Sequence, residues 1–384
     1  MENRTEMSAA SGRPGSAARN WGIDLLRLVS MFMICVLHVN GQGHAMLRIS
    51  THPSTYYAAW LLEAAAYCAV DIYGLISGYV GLESRRKPGR IFELWLTVFW
   101  YSALGSLVAV GIFGCAAEED SLWKAIFPVT WKTYWYFSAY VGVFVVMPWL
   151  NKLVQGLEEK QCRSLMAALI LVCSFAPAIS RNSTTGADFM YLGSGYSFAW
   201  LAVLYVIGAC LKKIRPKERP GCVYLLSAAA LTVLAWASKI TIENITRQVY
   251  GETRYARLLI GYTAPTMVLT AICLLLFFAR LDIRGGLKMR VIALLSPMAF
   301  SVYLVQVQPF VWTYALKGAC RPIASLPFWQ AFPAILGAAL LLYLICTAVD
   351  IPRYLLFKVL PVRRVCDRLG EAAQQLTERA GEIL

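Results

Sequence analysis

The chain has 384 residues, of which 58% are hydrophobic and only 15% are charged, and its mean hydropathy is +0.56. Soluble domains carry about a quarter charged residues, so this composition excludes a soluble globular protein and predicts a membrane protein with many spans. The formal net charge is +14. Because the basic residues stand in short clusters between apolar segments, as cytoplasmic loops require, they do not indicate a nucleic-acid-binding groove.

The chain begins with a polar stretch, residues 1–20, which contains no apolar run and therefore no cleavable signal peptide. We expect a disordered cytoplasmic tail there. The eleven cysteines are scattered, without a CxxC motif or a Cys/His cluster, so we expect small buried side chains and neither a metal site nor a disulfide framework.

Ten apolar segments follow, and they predict an all-α fold, a polytopic membrane helix bundle of about ten transmembrane helices. They cover about Trp21–Asn40, Tyr56–Leu82, Ile91–Gly114, Tyr134–Leu150 (bounded by Pro148 and Asn151), a fifth ending near Ile179, Ser194–Leu211, Cys222–Ile240, Leu258–Ala279, Val291–Leu316 and Phe328–Val349.

The Lys and Arg residues orient this bundle. Twenty-five of the 36 lie in segments on the side of the N-terminal tail, and 10 lie in the loops on the other side. The positive-inside rule therefore places both termini in the cytoplasm. We predict a transmembrane domain over 21–350 and a C-terminal cytoplasmic tail over 351–384, basic at first and then an amphipathic helix with Val365, Leu369, Ala372 and Leu376 on one face.

The first span carries Asp24, Arg27 and His38. An ionisable side chain at the centre of a membrane helix costs about 2.5–3.5 kcal/mol on insertion scales, so such residues usually serve a function. From Arg27 to His38 is eleven residues, about three turns plus 20°, so both side chains lie on one face about 16 Å apart. Asp24 lies one turn before Arg27, where an ion pair forms.

Two interpretations of this helix stay open. In the first, Arg27 binds a phosphate or carboxylate group and His38 is a general base. In the second, Asp24 and Arg27 form a structural pair at the cytoplasmic boundary, and His38 packs near the outer interface.

The second span places Asp71 in mid-membrane and ends with Ser77-Gly78-Tyr79. Asp71 is able to pair with Arg27 or to orient His38, whereas Gly78 favours close helix packing. Tyr134 and Tyr136 stand with tryptophans at the start of the fourth span, which is typical of an aromatic belt at the membrane interface or of a sugar-stacking path.

These motifs together resemble those of the acyltransferase 3 family of integral membrane O-acyltransferases, which modify bacterial surface polysaccharides. The first helix of the family opens with I-D-x-L-R and has ten residues between its Arg and its His, matched by Ile23–Arg27 and His38. The second helix is matched by Val70–Tyr73 and Ser77–Tyr79. A late Ser-x-x-Ser-Phe-x-x-Tyr-Leu-x-His motif is matched in part by Ser296–Gln306, with Gln306 at the position where His is frequent.

The resemblance implies an enzyme of a bacterial cytoplasmic membrane that takes an acyl group, in particular acetyl, from acyl-CoA and needs no metal. Its acceptor is implied to be a hydroxyl of an extracytoplasmic glycan or lipid-linked saccharide. His38 and Asp71 are then expected to act in catalysis. The donor is expected to bind from the cytoplasm at Arg27, Asp24, Arg85, Arg86 and Ser77. The alternative is a secondary transporter of a small polar or anionic metabolite, although no internal repeat indicates one.

Overall fold

Long apolar helices dominate the computed structural model, which describes residues 19–46, 53–84, 87–114, 121–180 and 190–383. All regular secondary structure in these ranges is helical, which confirms an all-α polytopic bundle. The α-helices are α1 (Trp21–Asn40), α2 (Pro53–Ala66), α3 (Ala69–Gly81), α4 (Gly89–Phe99), α5 (Gly105–Gly111), α6 (Ser121–Ile126), α7 (Trp135–Gly156), α8 (Glu159–Ile170), α9 (Ala176–Ser180), α10 (Phe198–Ile214), α11 (Gly221–Tyr250), α12 (Pro265–Ala279), α13 (Gly286–Leu295), α14 (Ala299–Gln306), α15 (Phe328–Val359) and α16 (Val362–Ile383).

Within the described ranges, eight helical segments are long and apolar enough to cross a bilayer. They are Trp21–Asn40, Ser54–Gly81, Gly89–Gly111, Trp135–Gly156, Glu159–Ile179, Gly221–Tyr250, Gly286–Gln306 and Phe328–Val359. The two remaining predicted spans are the shorter helices α10, with 17 residues, and α12, with 15 residues. A helix therefore stands at each of the ten predicted positions.

Several helices run past the ends predicted for them. Helix α7 continues through Pro148 to Gly156, so the predicted end at about Leu150 is wrong. A proline removes one backbone hydrogen bond, and membrane helices tolerate this loss. Helix α11 continues ten residues beyond Ile240, supported by ion pairs of Glu243 with Lys239 and with Arg247, each one turn away. Helix α15 extends past Val349 to Val359.

The predicted ninth span is interrupted instead of continuous. Pro297 lies in a short 3₁₀ turn between α13 and α14, and α14 ends at Gln306, three residues before Pro309. Both prolines lack a backbone N–H and restrict the residue before them, so each disrupts a regular α-helix. Beyond Pro309 the chain resumes as a π-helical segment, Val311–Leu316. This interruption places Gln306 at a helix end, beside the site described below.

The bundle packs around α1 and around the pair α3 and α10. Helix α1 contacts α2, α3, α12, α13, α14 and α15. On α3, a methyl group at Gly78 would lie 1.8 Å from the Tyr205 carbonyl oxygen, and one at Gly208 on α10 would lie 2.1 Å from that of Leu75. The close approach of these two helices confirms the packing interpretation of Gly78.

The predicted amphipathic helix of the C-terminal tail is α16. It packs against α4, where Gly370 lies against the backbone of Gly89. Val365, Leu369 and Leu376 stay exposed on its surface. A helix with this pattern is suited to lie in the plane of a membrane surface.

Candidate active site

His38 lies in the last turn of α1, and its ring meets the end of α14. Its Nδ1 atom is 2.8 Å from Oε1 of Gln306, a residue 268 positions away in the chain. Gln306 is fully buried, whereas His38 is only half-buried. The residue that replaces the frequent histidine of the late motif is therefore the hydrogen-bond partner of the first-helix histidine.

The other contacts of Gln306 decide which nitrogen of His38 carries the proton. Gln306 Nε2 donates to the carbonyl oxygen of Val302 at 3.0 Å, and its second neighbour is Cys35 Sγ at 3.5 Å. A carbonyl only accepts hydrogen bonds, so the amide nitrogen must face Val302 and the amide oxygen must face His38. Nδ1 of His38 is then the donor, and Nε2 keeps the lone pair that a general base needs.

Trp312 packs edge-on against the His38 ring, with 4.9 Å between the ring centroids. It belongs to the π-helical segment after Pro309. Its carbonyl oxygen accepts from the side chain of Gln42 at 2.9 Å, and the backbone of Gly318 donates to that of Gln42 at 2.9 Å. The loop after α1 is thus tied to the segment that carries Trp312.

Arg27 lies near the other end of α1 and pairs with Asp24, as the spacing predicts. Asp24 also accepts from Arg19 at 2.5 Å. The Arg27 side chain nevertheless stays 31% exposed. Because a guanidinium carries five N–H donors and Asp24 occupies only part of them, Arg27 keeps donors for a second anion.

Two tyrosines adjoin Arg27. The Tyr73 hydroxyl donates to the Arg27 carbonyl oxygen at 2.7 Å. Tyr140 on α7 lies close enough to Arg27 and Arg90 for both charges to act on its hydroxyl. Arg90 was not among the predicted site residues, although it belongs to the same basic cluster as Arg85 and Arg86.

Helix α1 is unbroken from Trp21 to Asn40, so the predicted separation of Arg27 and His38, about 16 Å along one face, holds. Tyr73, which donates to the Arg27 carbonyl oxygen, packs against the same apolar cluster as Cys35. Since Cys35 contacts Gln306, a row of neighbouring side chains extends from the Arg27 end of α1 toward His38.

Asp71 does not join either end of this row. It is fully buried, and its Oδ1 atom accepts from the indole Nε1 of Trp200 at 3.1 Å. Among the described residues, Oδ2 has no hydrogen-bond partner. The predicted pairing with Arg27 and the predicted contact with His38 are both wrong, because the start of α3 turns this carboxyl group toward α10.

Ser77 lies one turn after Tyr73 on α3, toward the Arg27 end. Its hydroxyl donates to the Tyr73 carbonyl oxygen at 2.8 Å, and the residue is half-buried. Arg85 and Arg86 lie outside the described residues, so their predicted place at the donor site stays a prediction.

A cluster of buried tyrosines adjoins the row. The sequence offered Tyr134 and Tyr136 as a sugar-stacking path, but it did not indicate that Tyr73 and Tyr303 join them in one site. The Tyr136 ring lies 6.2 Å from that of Tyr73 and 6.3 Å from that of Tyr303, which in turn lies 6.5 Å from Tyr134. In the part of the chain that the structure describes, the hydroxyls of Tyr134 and Tyr303 are buried without a partner. An aromatic belt at the membrane interface is therefore the wrong interpretation for Tyr134, which is fully buried. The Tyr-Leu element of the late motif, which includes Tyr303, was the sequence signal that could have identified this cluster.

Comparisons with known proteins bear on what this arrangement does. No curated protein and no solved structure matches the chain. A family model described as an acyltransferase domain matches residues 20–349, which include α1, the tyrosine cluster and Gln306. The chain therefore belongs to the acyltransferase 3 family and is a membrane-embedded acyltransferase.

Proposed function

We propose that this protein transfers an acyl group, in particular acetyl, from cytoplasmic acyl-CoA to a hydroxyl of an extracytoplasmic glycan or glycolipid. The single observation that carries the proposal is the arrangement on α1, with a partly exposed Arg27 at one end and a base-competent His38 at the other. Family membership supports acyl transfer over the alternative of metabolite transport. The cellular setting that we propose is a bacterial cytoplasmic membrane.

The donor binds at the Arg27 end. Arg27, oriented by Asp24, contacts the phosphates of coenzyme A, and the neighbouring Arg90 adds positive charge. We include Arg85, Arg86 and Ser77 in this donor site on the basis of their sequence positions. The acyl-bearing arm then extends along the tyrosine cluster, where the Tyr134 and Tyr303 hydroxyls lack a protein partner in the described ranges and are able to bind its polar groups.

The transfer takes place at His38. Nε2 removes the proton from the acceptor hydroxyl, and the oxygen forms an ester bond with the acyl carbon while the carbon–sulfur bond of the thioester breaks. The departing thiolate takes the proton from the imidazolium, so His38 returns to its neutral form. Gln306 holds Nδ1–H throughout and stabilises the imidazolium between these steps. A positioned general base of this kind contributes about 10²–10⁴-fold to a rate.

Asp71 has a supporting role in this scheme. We propose that its hydrogen bond with Trp200 holds α3 against α10 and so positions Tyr73 and Ser77 near Arg27. Because Asp71 contacts neither Arg27 nor His38, we assign it no contact with the reacting atoms.

The test uses membranes that contain the protein, radiolabelled acetyl-CoA and a pool of lipid-linked glycans. We expect label in the glycan fraction, and we expect His38→Ala to reduce it by at least about 10²-fold while the protein still inserts. The matched control is His44→Asn, in the loop after α1, because asparagine tolerates the positive φ of 62° found there. Undiminished transfer by His38→Ala would reject the proposal. Counterflow of a solute without any transfer would favour a transporter.

A further inference from the structure

A cavity of about 410 Å³ lies beside the His38 site, between the segment Gly89–Gly111, the end of α14 and α15. Its lining is almost entirely apolar and includes Tyr101, Val108, Ala109, Val305, Val311 and Val349. Gln308, the one side-chain amide among the described residues of its wall, turns its oxygen to the backbone N–H groups of Phe310 and Val311, and its nitrogen has no hydrogen-bond partner among those residues. The volume falls in the range typical of ligand sites.

The cavity is partly open at the side of the bundle. Phe113 and Tyr314 line it and are 75% and 63% exposed. The helix surface beside this opening is apolar and exposed as well, with Leu107 and Val110 directed outward. In a membrane-spanning protein such a flank faces lipid, so an occupant enters from the bilayer and must be apolar.

The cavity is elongated along the helices. Tyr101 and Ala109 both line it, eight residues apart on one helical segment, which corresponds to about 12 Å at 1.5 Å per residue. Two π-helical segments form its walls, Trp100–Leu104 and Val311–Leu316. π-Helical turns occur frequently at functional sites, and an elongated apolar cavity parallel to the spans matches a hydrocarbon chain.

The stretch of chain from Val305 to Trp312 both lines the cavity and contacts His38. Val305 lines the cavity, and the next residue, Gln306, binds His38 Nδ1. Val311 lines the cavity, and the next residue, Trp312, packs on the His38 ring. Cavity and base therefore adjoin the same chain segment.

We propose that this cavity binds the hydrocarbon chain of the lipid that carries the acceptor saccharide. The inference rests on the proposed acyl transfer at His38 and identifies its acceptor class as a lipid-linked saccharide. Binding of the chain in the cavity brings the head group of that lipid to the membrane surface next to His38. An acceptor lipid is favoured over a bulk phospholipid because the cavity adjoins the base instead of lying elsewhere on the bundle.

The experiment compares two acceptors, the lipid-linked saccharide and the same saccharide released from its lipid. The test variant is Val108→Phe, which fills the cavity, and the matched control is Val110→Phe, two residues further on the same helix and directed to lipid. We expect Val108→Phe to raise KM for the lipid-linked acceptor at least tenfold and to leave KM for the released saccharide unchanged. Val110→Phe should change neither value more than twofold.

A second filling variant, Ala315→Phe, guards against a local folding defect at Val108. A KM for the lipid-linked acceptor that stays at its wild-type value in both filling variants would overturn the inference. Competition by sugar-free phospholipid as strong as that by the lipid-linked acceptor would also overturn it, since the occupant would then be bulk lipid. If the wild-type protein transfers the acyl group to both acceptors with the same KM, this inference is refuted and the proposed function stands. Wild-type transfer to neither would refute the proposed function, and this inference with it.

Discussion

Gln306 accepts a hydrogen bond from Nδ1 of His38, across the contact between the end of α14 and the last turn of α1. The family motif frequently has a histidine at position 306, and a glutamine there cannot take up a proton. It is nevertheless suited to a different task, since its amide is locked by Val302 and therefore selects one tautomer of His38. One histidine with one fixed partner is sufficient for the proton transfers of an acyl transfer.

Removing the hydrogen-bond acceptor at position 306 should slow the chemical step. Gln306→Met keeps the length of the side chain but leaves Nδ1 without a partner. Because a hydrogen bond to a charged group is worth about 1.5–3 kcal/mol, we expect kcat to fall about 10- to 100-fold with KM for acyl-CoA unchanged. Gln306→Glu, which keeps an acceptor oxygen, should retain more activity than Gln306→Met. Steady-state kinetics of both variants check this, and equal losses would contradict the positioning role.

Removing the charge of Arg27 should weaken donor binding. Arg27→Ala deletes the partly exposed guanidinium beside Asp24, and we expect KM for acyl-CoA to rise at least tenfold with a smaller effect on kcat. Arg163→Ala, which removes an exposed cation on α8, is the control for a general loss of positive charge. A wild-type KM for acyl-CoA in Arg27→Ala would show that Arg27 does not bind the donor.

The Tyr303 hydroxyl offers a test that separates binding from folding. It is buried with no partner among the described residues, so Tyr303→Phe should not lower the Tm and is expected to raise it slightly. If the hydroxyl binds the acyl-bearing arm, the same variant raises KM for acyl-CoA several-fold. Thermal unfolding and kinetics are measured on one preparation. An unchanged KM would exclude Tyr303 from the donor path.

Asp71 should behave as a structural acceptor. Asp71→Asn keeps an oxygen for the Trp200 indole, so we expect activity within about threefold of wild type and an unchanged Tm. Asp71→Leu leaves the buried indole N–H unpaired, which costs about 1–3 kcal/mol, and should lower the Tm by several degrees. Loss of activity in Asp71→Asn at normal Tm would restore Asp71 to the catalytic residues.

Gly78 should tolerate no side chain. A methyl group there would overlap the Tyr205 carbonyl, so Gly78→Ala must separate α3 from α10, and we expect a lowered Tm together with reduced activity. Gly156→Ala is the matched control, because nothing lies within 4 Å of the added methyl group. It should stabilise the end of α7 by about 0.5–1 kcal/mol. A Gly78→Ala variant as stable as wild type would contradict the close helix contact.

The helical fold, the ten spans and the relation of Arg27 to His38 were all predictable from the chain. These properties are local: bilayer thickness sets the length of an apolar run, and the pitch of a helix places positions 24, 27 and 38 on one face whatever surrounds them. The ends of the spans were less predictable, since α7 continues through Pro148 and the ninth span breaks at Pro309.

Which side chains meet across helices was not predictable in the same way. Asp71 and Arg27 have suitable charges for a pair, yet Asp71 binds Trp200 and Arg27 binds Asp24. In the sequence, Gln306 indicates only that a catalytic histidine is missing. In the structure, α14 lies against α1 and Gln306 binds His38. Contacts of this kind depend on how each helix is rotated and how closely it approaches its neighbours. Packing of the whole bundle determines both the rotation and the distance, for example where Gly78 and Gly208 allow the backbones of α3 and α10 to meet. No local sequence pattern contains that information.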